Sequence, residues 1–392
     1  MKALFTEVDV KGRRVVVRED FNVPLRDGHV GDDTRIRAAL PTLRGLARRG
    51  ARVVALSHLG RPKGRVISEL SLRPVAERLR QLLGGQVSFA DDCVGPVAHA
   101  AAAALKDGDV LLLENVRFHP GDESNDPDFA TQLSALGELY VNDAFACAHR
   151  AHASVVGIAD RLPAYAGYLM VDELAALHRA LDAPARPLVA IVGGVKVSTK
   201  AGLLRHLLGR VDCLLVGGAM ANTFWKALGR EVGASVVEED ALDEARRVWD
   251  LAAGKLVLPV DAVCARAPEA GQEMRICKVD AIPPGWMVLD TGPGTRKLFA
   301  ERVDHAGTIV WNGPVGVSEV PEFSEGTRAL GLAVAASGAF SLVGGGDTAA
   351  AVHVLGLEGR YSHVSTGGGA TLEYLEGRKL PGVAVLREAV NA

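Results

Sequence analysis

Short apolar runs alternate along this sequence with longer stretches in which apolar positions recur every three or four residues. In the first half the runs fall at 14–17, 52–56, 110–113 and 139–141 and read as buried strands. Between them, 35–49 sets Ile36, Leu40, Leu43, Leu46 and Ala47 on one helical face, and 72–83 does the same with Leu72, Val75, Ala76, Leu79 and Leu83, several Arg lying opposite. The second half repeats the scheme with runs at 188–192, 213–216, 256–260, 308–311 and 340–343. Such alternation builds βαβ units, so the expected fold is α/β, with two Rossmann-like domains, each a mainly parallel sheet flanked by helices. The first domain is expected over 1–170, a connecting hinge helix over 171–184, ahead of Pro187, and the second domain over 185–375. An uncharged run at 329–346 is interrupted by Ser337, Gly338, Ser341 and three glycines, which predicts helix, turn and buried strand, not a membrane span.

At 392 residues the chain exceeds one ordinary core, which agrees with two domains. Net charge is only −3, so a broad nucleic-acid-binding face is not expected, and any anion site must be a local gathering of Arg, Lys and backbone N–H groups. The five cysteines show no metal-ligand spacing, and Glu7 and Asp9 stand where a signal peptide would need apolar residues, which predicts reduced thiols and a cytoplasmic location.

Ligands of open parallel sheets bind beyond the carboxyl ends of strands. In the first half those ends carry Arg18-Glu19-Asp20-Phe21-Asn22, His58-Leu59-Gly60-Arg61, Arg117-Phe118-His119, and Asn142-Asp143 followed by His149-Arg150-Ala151-His152, with Arg35 at a helix start. One such Arg or His is as often surface or core as ligand. Recurrence at several strand ends predicts an anion-binding crater, since guanidinium groups pair with phosphate or carboxylate in bidentate fashion. In the second half Gly193-Gly194, Gly217-Gly218, Gly344-Gly345-Gly346 and Gly367-Gly368-Gly369 sit between strand-like and helix-like stretches, where backbone N–H groups can approach phosphates. Lys196 and Lys200, four apart, are expected on one helical face beside the first of these loops. Asp347 reads either as a helix N-cap or as a Mg2+ ligand. The sequence has no G-x-x-x-x-G-K-[ST] motif, and the Gly344-x-Gly346-x-x-Ala349 pattern has no acidic residue at a suitable later strand end, which ranks an NAD(P)-linked two-domain dehydrogenase second.

Taken together, the stretches VREDFNVPL (17–25), SHLGRPKG (57–64), LLENVRFHPGDESND (112–126), YVNDAFACAHRAH (140–152), GGVKVSTK (193–200), LPVD (258–261), GPGT (292–295), VWNGPVGVSEVPEFSEGT (310–327), GGGDTAAAV (344–352) and YSHVSTGGGATLEYLEG (361–377) resemble the phosphoglycerate kinase family from about residue 13 to 386. The resemblance implies reversible Mg2+-dependent phosphoryl transfer between ATP and the carboxylate of 3-phosphoglycerate, giving 1,3-bisphosphoglycerate and ADP, by a monomer that acts on no nucleic acid or membrane. It implies substrate contacts from Asp20, Phe21, Asn22, Arg35, His58, Leu59, Gly60, Arg61, Arg117 and Arg150. Nucleotide contacts fall to Lys196, Lys200, Gly292, Asn312, Glu319, Gly345, Gly346, Asp347 and Thr348, with Asp347 on the metal. Arg35, Lys196, Lys200, Gly367 and Gly368 would serve the transferred group, and 376–392 would return to the first domain. Glu19, Ala146-Cys147, Thr199, Ala219 and Gly294 depart from the family pattern without removing a charged contact.

The acceptor carboxylate is already ionised at neutral pH, so no general base is expected, only alignment and cations around the migrating group. Acceptor residues precede position 151 and nucleotide residues follow position 192, so catalysis is expected to need closure of the two halves. A non-catalytic nucleotide-binding protein is the third reading.

Overall fold

The computed structural model describes residues 2–84 and 87–389. It divides into two units, one of residues 2–175 together with 379–389 and one of Ala176–Arg378, the division falling within the helix Tyr168–Leu181. No helix among the described residues is long and apolar enough to cross a membrane.

In the first unit six parallel strands lie in the order Val87–Ala90, Val110–Leu113, Arg52–Leu56, Arg14–Arg18, Leu139–Asn142, Ala164–Ala166. Arg14–Arg18 is central, and its Val15, Val16 and Val17 are fully buried, as β-branched residues covered on both faces of a parallel sheet should be. The helix Thr34–Arg48 lays Ile36, Leu43 and Leu46 on one side of that sheet, where complete burial of each is worth about 1.5–3 kcal/mol. The helix Arg73–Leu83 adds Val75, Ala76 and Leu79 to the same core and stops at Gly84, which takes up the left-handed conformation. Residues of the second segment complete this unit. Lys2 bridges Glu388, Asn142 Nδ2 donates to the Gly382 carbonyl at 3.2 Å, and a Cβ at Gly382 would meet Val155 Cγ1 at 2.6 Å.

The second unit holds another six-stranded parallel sheet, in the order Leu256–Val257, Cys213–Val216, Leu188–Val192, Thr308–Asn312, Phe340–Gly344, His363–Val364. The run at 256–260, expected as one strand, ends at Val257, ahead of Pro259, which has no N–H for a ladder. The chain then enters a three-stranded antiparallel sheet, with Asp261–Ala265 between Arg275–Lys278 and Met287–Thr291, that the βαβ pattern does not include. The uncharged run forms the helix Glu325–Ala336, a turn, and the strand Phe340–Gly344, whose Ser341, Leu342 and Val343 are buried.

Candidate active site

Register in the first sheet sets the position of its polar groups. Arg18 lies level with Leu56 on one side and Asn142 on the other, so Glu19–Asn22, Ser57–Gly60 and Asp143 leave the sheet at one edge. Arg18 itself is fully buried. Its Nε donates to Ser154 Oγ at 3.1 Å, its Nη1 to the Glu19 carbonyl, and its Nη2 faces His58 Nδ1 at 3.1 Å. A guanidinium only donates, which makes His58 Nδ1 the acceptor and puts the imidazole proton on Nε2. Burial, reinforced by the charges of Arg18 and Arg117, holds His58 well below the ordinary imidazole pKa, so it is neutral near pH 7.

Around this centre the expected substrate residues other than Arg61 and Arg150 form one network. Asp20 accepts from Arg35 Nη1 at 2.5 Å and from the Asn22 N–H at 3.1 Å. Asn22 Oδ1 takes the Gly60 N–H at 2.9 Å, and Arg117 Nη1 donates to the Gly60 carbonyl at 3.0 Å. The Phe21 N–H donates to Ser57 Oγ at 2.8 Å, and the Leu59 carbonyl accepts from Asn115 Nδ2 at 2.7 Å. Gly60 has φ +64°, and a Cβ there would meet Leu70 Cδ2 at 2.7 Å. Arg61 is exposed, and half-buried Arg150 donates its Nε to His149 Nε2 at 3.1 Å. His119 does not join the network, because its Nε2 pairs with Asp92 at 2.8 Å.

Beneath the network lie two acids. Glu19 is buried with neither carboxyl oxygen hydrogen-bonded, and burial together with the neighbouring Asp143 pushes its pKa well above the usual carboxyl range. Burial likewise pushes Asp143 to about 7, although its Oδ1 accepts the Met170 N–H at 3.1 Å. The folded state therefore retains a proton that the unfolded chain releases above its ordinary carboxyl pKa, so Glu19 costs increasing stability as pH rises from there toward its folded value. Glu19→Leu is expected to stabilise the protein by roughly 1–3 kcal/mol at pH 7 and by less at pH 4. Urea unfolding at both pH values checks this, and an equal or absent gain would contradict it.

In the second sheet Asn312 is level with both Val192 and Gly344, and Val216 is level with Val192, so Gly193, Gly217, Gly313 and Gly345 leave the strands together. The loops interlock: a Cβ at Gly193 would sit 2.0 Å from the Pro314 carbonyl oxygen, and one at Gly313 would sit 2.4 Å from that of Gly193. Into this nest folds Lys200, whose Nζ donates to the Gly193 carbonyl at 2.6 Å, the Asn312 carbonyl at 3.2 Å and Asn312 Oδ1 at 2.8 Å. Burial lowers its pKa to about 8, opposed by the charge of Asp347. Lys196 does not share a helical face with Lys200, because it is the exposed, extended residue that precedes the helix Val197–Leu208.

Asp347 is not an N-cap. That position belongs to Gly345, at φ +93°, and Asp347 lies exposed in the first turn of the helix Gly346–Val354. Its neighbour Thr348 accepts the Gly313 N–H at 2.7 Å. Lys200, Asp347 and Glu319 line one cavity of about 300 Å³, whose apolar wall includes Ala221, Pro259 and Leu289. Asp290, pushed to about 7 chiefly by burial, lies in the wall and accepts from the Gly326 and Thr291 N–H groups. Gly292 caps the helix Pro293–Asp304, and the Asp261 carboxylate takes that helix's Gly294 and Thr295 N–H groups at 2.8 and 2.7 Å. Gly367 and Gly368 precede the helix Gly369–Leu375, and neither lines the cavity. Sequence reasoning did not assign Asp261 or Asp290 to a site, and it counted Arg18 among the strand-end cations of the crater although that side chain is fully buried. The signal for Arg18 is a cation closing the apolar strand RVVVR.

The family model for phosphoglycerate kinase matches residues 5–378. This chain belongs to the phosphoglycerate kinase family. It is 54% identical over 390 residues to "Phosphoglycerate kinase" of Moorella thermoacetica, covering 99% of both chains. It is 56% identical over 382 residues to "Phosphoglycerate kinase" of Rubrobacter xylanophilus, covering 97% of both. Among solved structures, the phosphoglycerate kinase from Coxiella burnetii superposes with a TM-score of 0.91 at 44% identity, and that from Pyrococcus horikoshii with 0.86 at 32%, each over 98% of both chains. The chain is therefore a phosphotransferase with a carboxyl group as acceptor, using ATP or ADP as co-substrate, and the dehydrogenase reading falls.

Proposed function

We propose that the polar network of the first unit binds 3-phosphoglycerate, that the cavity of the second binds Mg-ATP or Mg-ADP, and that Lys200 neutralises the phosphoryl group in flight. The observation that carries this reading is the Lys200 ammonium, half-buried beside the cavity and held by carbonyl and amide oxygens, with no carboxylate among the described residues bonded to it. Its charge is free to meet a phosphate. In the first unit Arg35, Arg61, Arg117 and Arg150 supply the cations for the acceptor, and neutral His58 supplies an N–H donor without adding charge. The acceptor carboxylate attacks as the ionised form, so the residues position and neutralise while no proton has to move. Asp347 suits Mg2+, because its carboxylate is exposed in the cavity, caps no helix and offers hard oxygen donors. Bound there, Mg2+ would offset charge on the nucleotide phosphates.

ATP-dependent formation of an acyl phosphate from 3-phosphoglycerate, trapped as the hydroxamate, tests the function; nucleotide binding without turnover would favour the non-catalytic reading. Arg117→Ala is expected to raise KM for 3-phosphoglycerate by about tenfold to a hundredfold, the loss of a charge-assisted contact of roughly 1.5–3 kcal/mol, with nucleotide Kd unchanged. Equal weakening of both ligands would contradict the assignment of ligands to units. Asp347→Ala is expected to weaken Mg-ATP binding at least tenfold while shifting melting by less than the ~1 kcal/mol that loss of a cap would cost. Calorimetry and thermal melting of that variant separate the two roles.

A further inference from the structure

Outside the substrate network, the turn after the strand Val87–Ala90 meets the segment after Val110–Leu113. There Asp92, Cys93 and His119 bring a carboxylate oxygen, a thiol sulfur and an imidazole nitrogen within 4.8 Å of one another. We propose that these three residues form a binding site for a borderline-soft divalent cation such as Zn2+, separate from the Mg2+ that accompanies nucleotide.

The donor set is the one that transition metals prefer and Mg2+ does not: thiolate and imidazole completed by a single carboxylate. Zinc bonds of 2.0–2.3 Å in a tetrahedron place ligand atoms about 3.3–3.7 Å apart, so side-chain shifts of about an ångström close the set, with water in the fourth position. The groups are held for this. His119 stacks on Phe129 with ring centroids 5.2 Å apart, which fixes the plane of its imidazole, and Cys93 is fully buried while Asp92 and His119 leave one side open to solvent. Charge favours a cation as well. Asp92, Asp122 and Glu114 are the acids whose charges reach this thiol, and a divalent ion would compensate them. The His119–Asp92 hydrogen bond at 2.8 Å is the contact the ion would replace. On binding, the His119 proton moves from Nε2 to Nδ1 and the Nε2 lone pair turns to the metal. Cys93 releases its proton to solvent, giving one proton per cation.

The other His, Cys and Asp group, Asp20, His58 and Cys147, is a poor competitor because the Arg18 guanidinium sits 3.1 Å from His58 and 3.8 Å from Cys147. The test is titration of the metal-free full-length protein with Co2+. One equivalent is expected to give a thiolate-to-cobalt charge-transfer band, release one proton, and be displaced by Zn2+. Cys93→Ser and His119→Gln should each lose the band, and Cys147→Ser should keep it. Zn2+ should raise the melting temperature of the wild type by several degrees and leave His119→Gln unchanged. Absence of the band in the wild type, or its survival in Cys93→Ser, overturns the proposal. Should Cys93→Ser fail to fold by circular dichroism, the surface-exposed edge of His119 makes His119→Gln the deciding variant, and a retained band or retained Zn2+ stabilisation there overturns it equally.

Discussion

Lys200→Ala should lower kcat by roughly a thousandfold while changing nucleotide Kd less than about tenfold, which is the pattern for a charge that counts mainly in the transition state. The argument rests on where the ammonium is held. Its three acceptors are neutral oxygens of Gly193 and Asn312, so its charge is positioned without being cancelled, in surroundings dry enough to bring its pKa to about 8. A fixed cation in such a place needs no reorganisation when negative charge spreads over the migrating group, and loss of one comparable donor costs about 2.7–4 kcal/mol. The pKa gives a second signature. In the free enzyme the ammonium begins to deprotonate as pH passes about 8, so kcat/KM for nucleotide should fall above that value in the wild type and lose this limb in Lys200→Ala. Lys200→Arg should rescue little, because the nest is tight: a Cβ at Gly313 would already stand 2.8 Å from Nζ, which leaves no room for a planar fork. An effect confined to KM would remove Lys200 from the chemical step.

Arg18→Met should destabilise the protein by about 3–5 kcal/mol, the usual consequence of deleting one partner from a buried charge network. Met has similar length and no charge, so packing is largely kept and the loss is electrostatic. Without the guanidinium, Ser154 Oγ loses its donor, the Glu19 carbonyl keeps only Ser57 Oγ, and Asp122 and Asp20 lose a nearby positive charge inside the protein. His58 should report the change directly. Its pKa is depressed by burial first and Arg18 second, so in any folded fraction of the variant it should titrate at higher pH by NMR. Urea unfolding within 1 kcal/mol of wild type, or an unmoved His58, would mean that Arg18 is a bystander.

The parts of this protein visible in its sequence are those whose signal is local. Val15–Val17 and Ile191–Val192 are uninterrupted apolar residues, and burial on both faces of a parallel sheet produces that pattern directly. The strands Val87–Ala90, Ala164–Ala166 and His363–Val364 are too short, or too mixed, for a period to show. The antiparallel Asp261–Thr291 region departs from βαβ alternation altogether. At the candidate site the strand-end motifs announced Asp20, Asn22, His58 and Arg117, because register places the ends of adjacent strands side by side. What they could not disclose was direction. Lys196 and Lys200 have helical spacing, yet the helix begins after Lys196, and Asp347 looks like a cap until Gly345, with its positive φ, is seen to occupy that place. The partners of Arg18 were hidden for a related reason: the pattern marks it as a cation at a strand end, and only the fold buries it among Ser154, His58 and Cys147.

The first unit is assembled from two pieces of chain that translation delivers far apart in time. Ala148 and Val155 pack against Gly382, and the residues of the second unit, roughly two hundred of them, are made in between. At ordinary elongation rates of about 5–20 residues per second, that interval lasts on the order of ten to forty seconds. Throughout it the nascent first unit must wait with a small apolar surface around Ala148 and Val155 lacking its cover, while the second unit already has all its strands. The later half of the polypeptide is thus positioned to fold before the earlier half is finished, and a ribosome stalled near residue 378 would display that uncovered surface to chaperones.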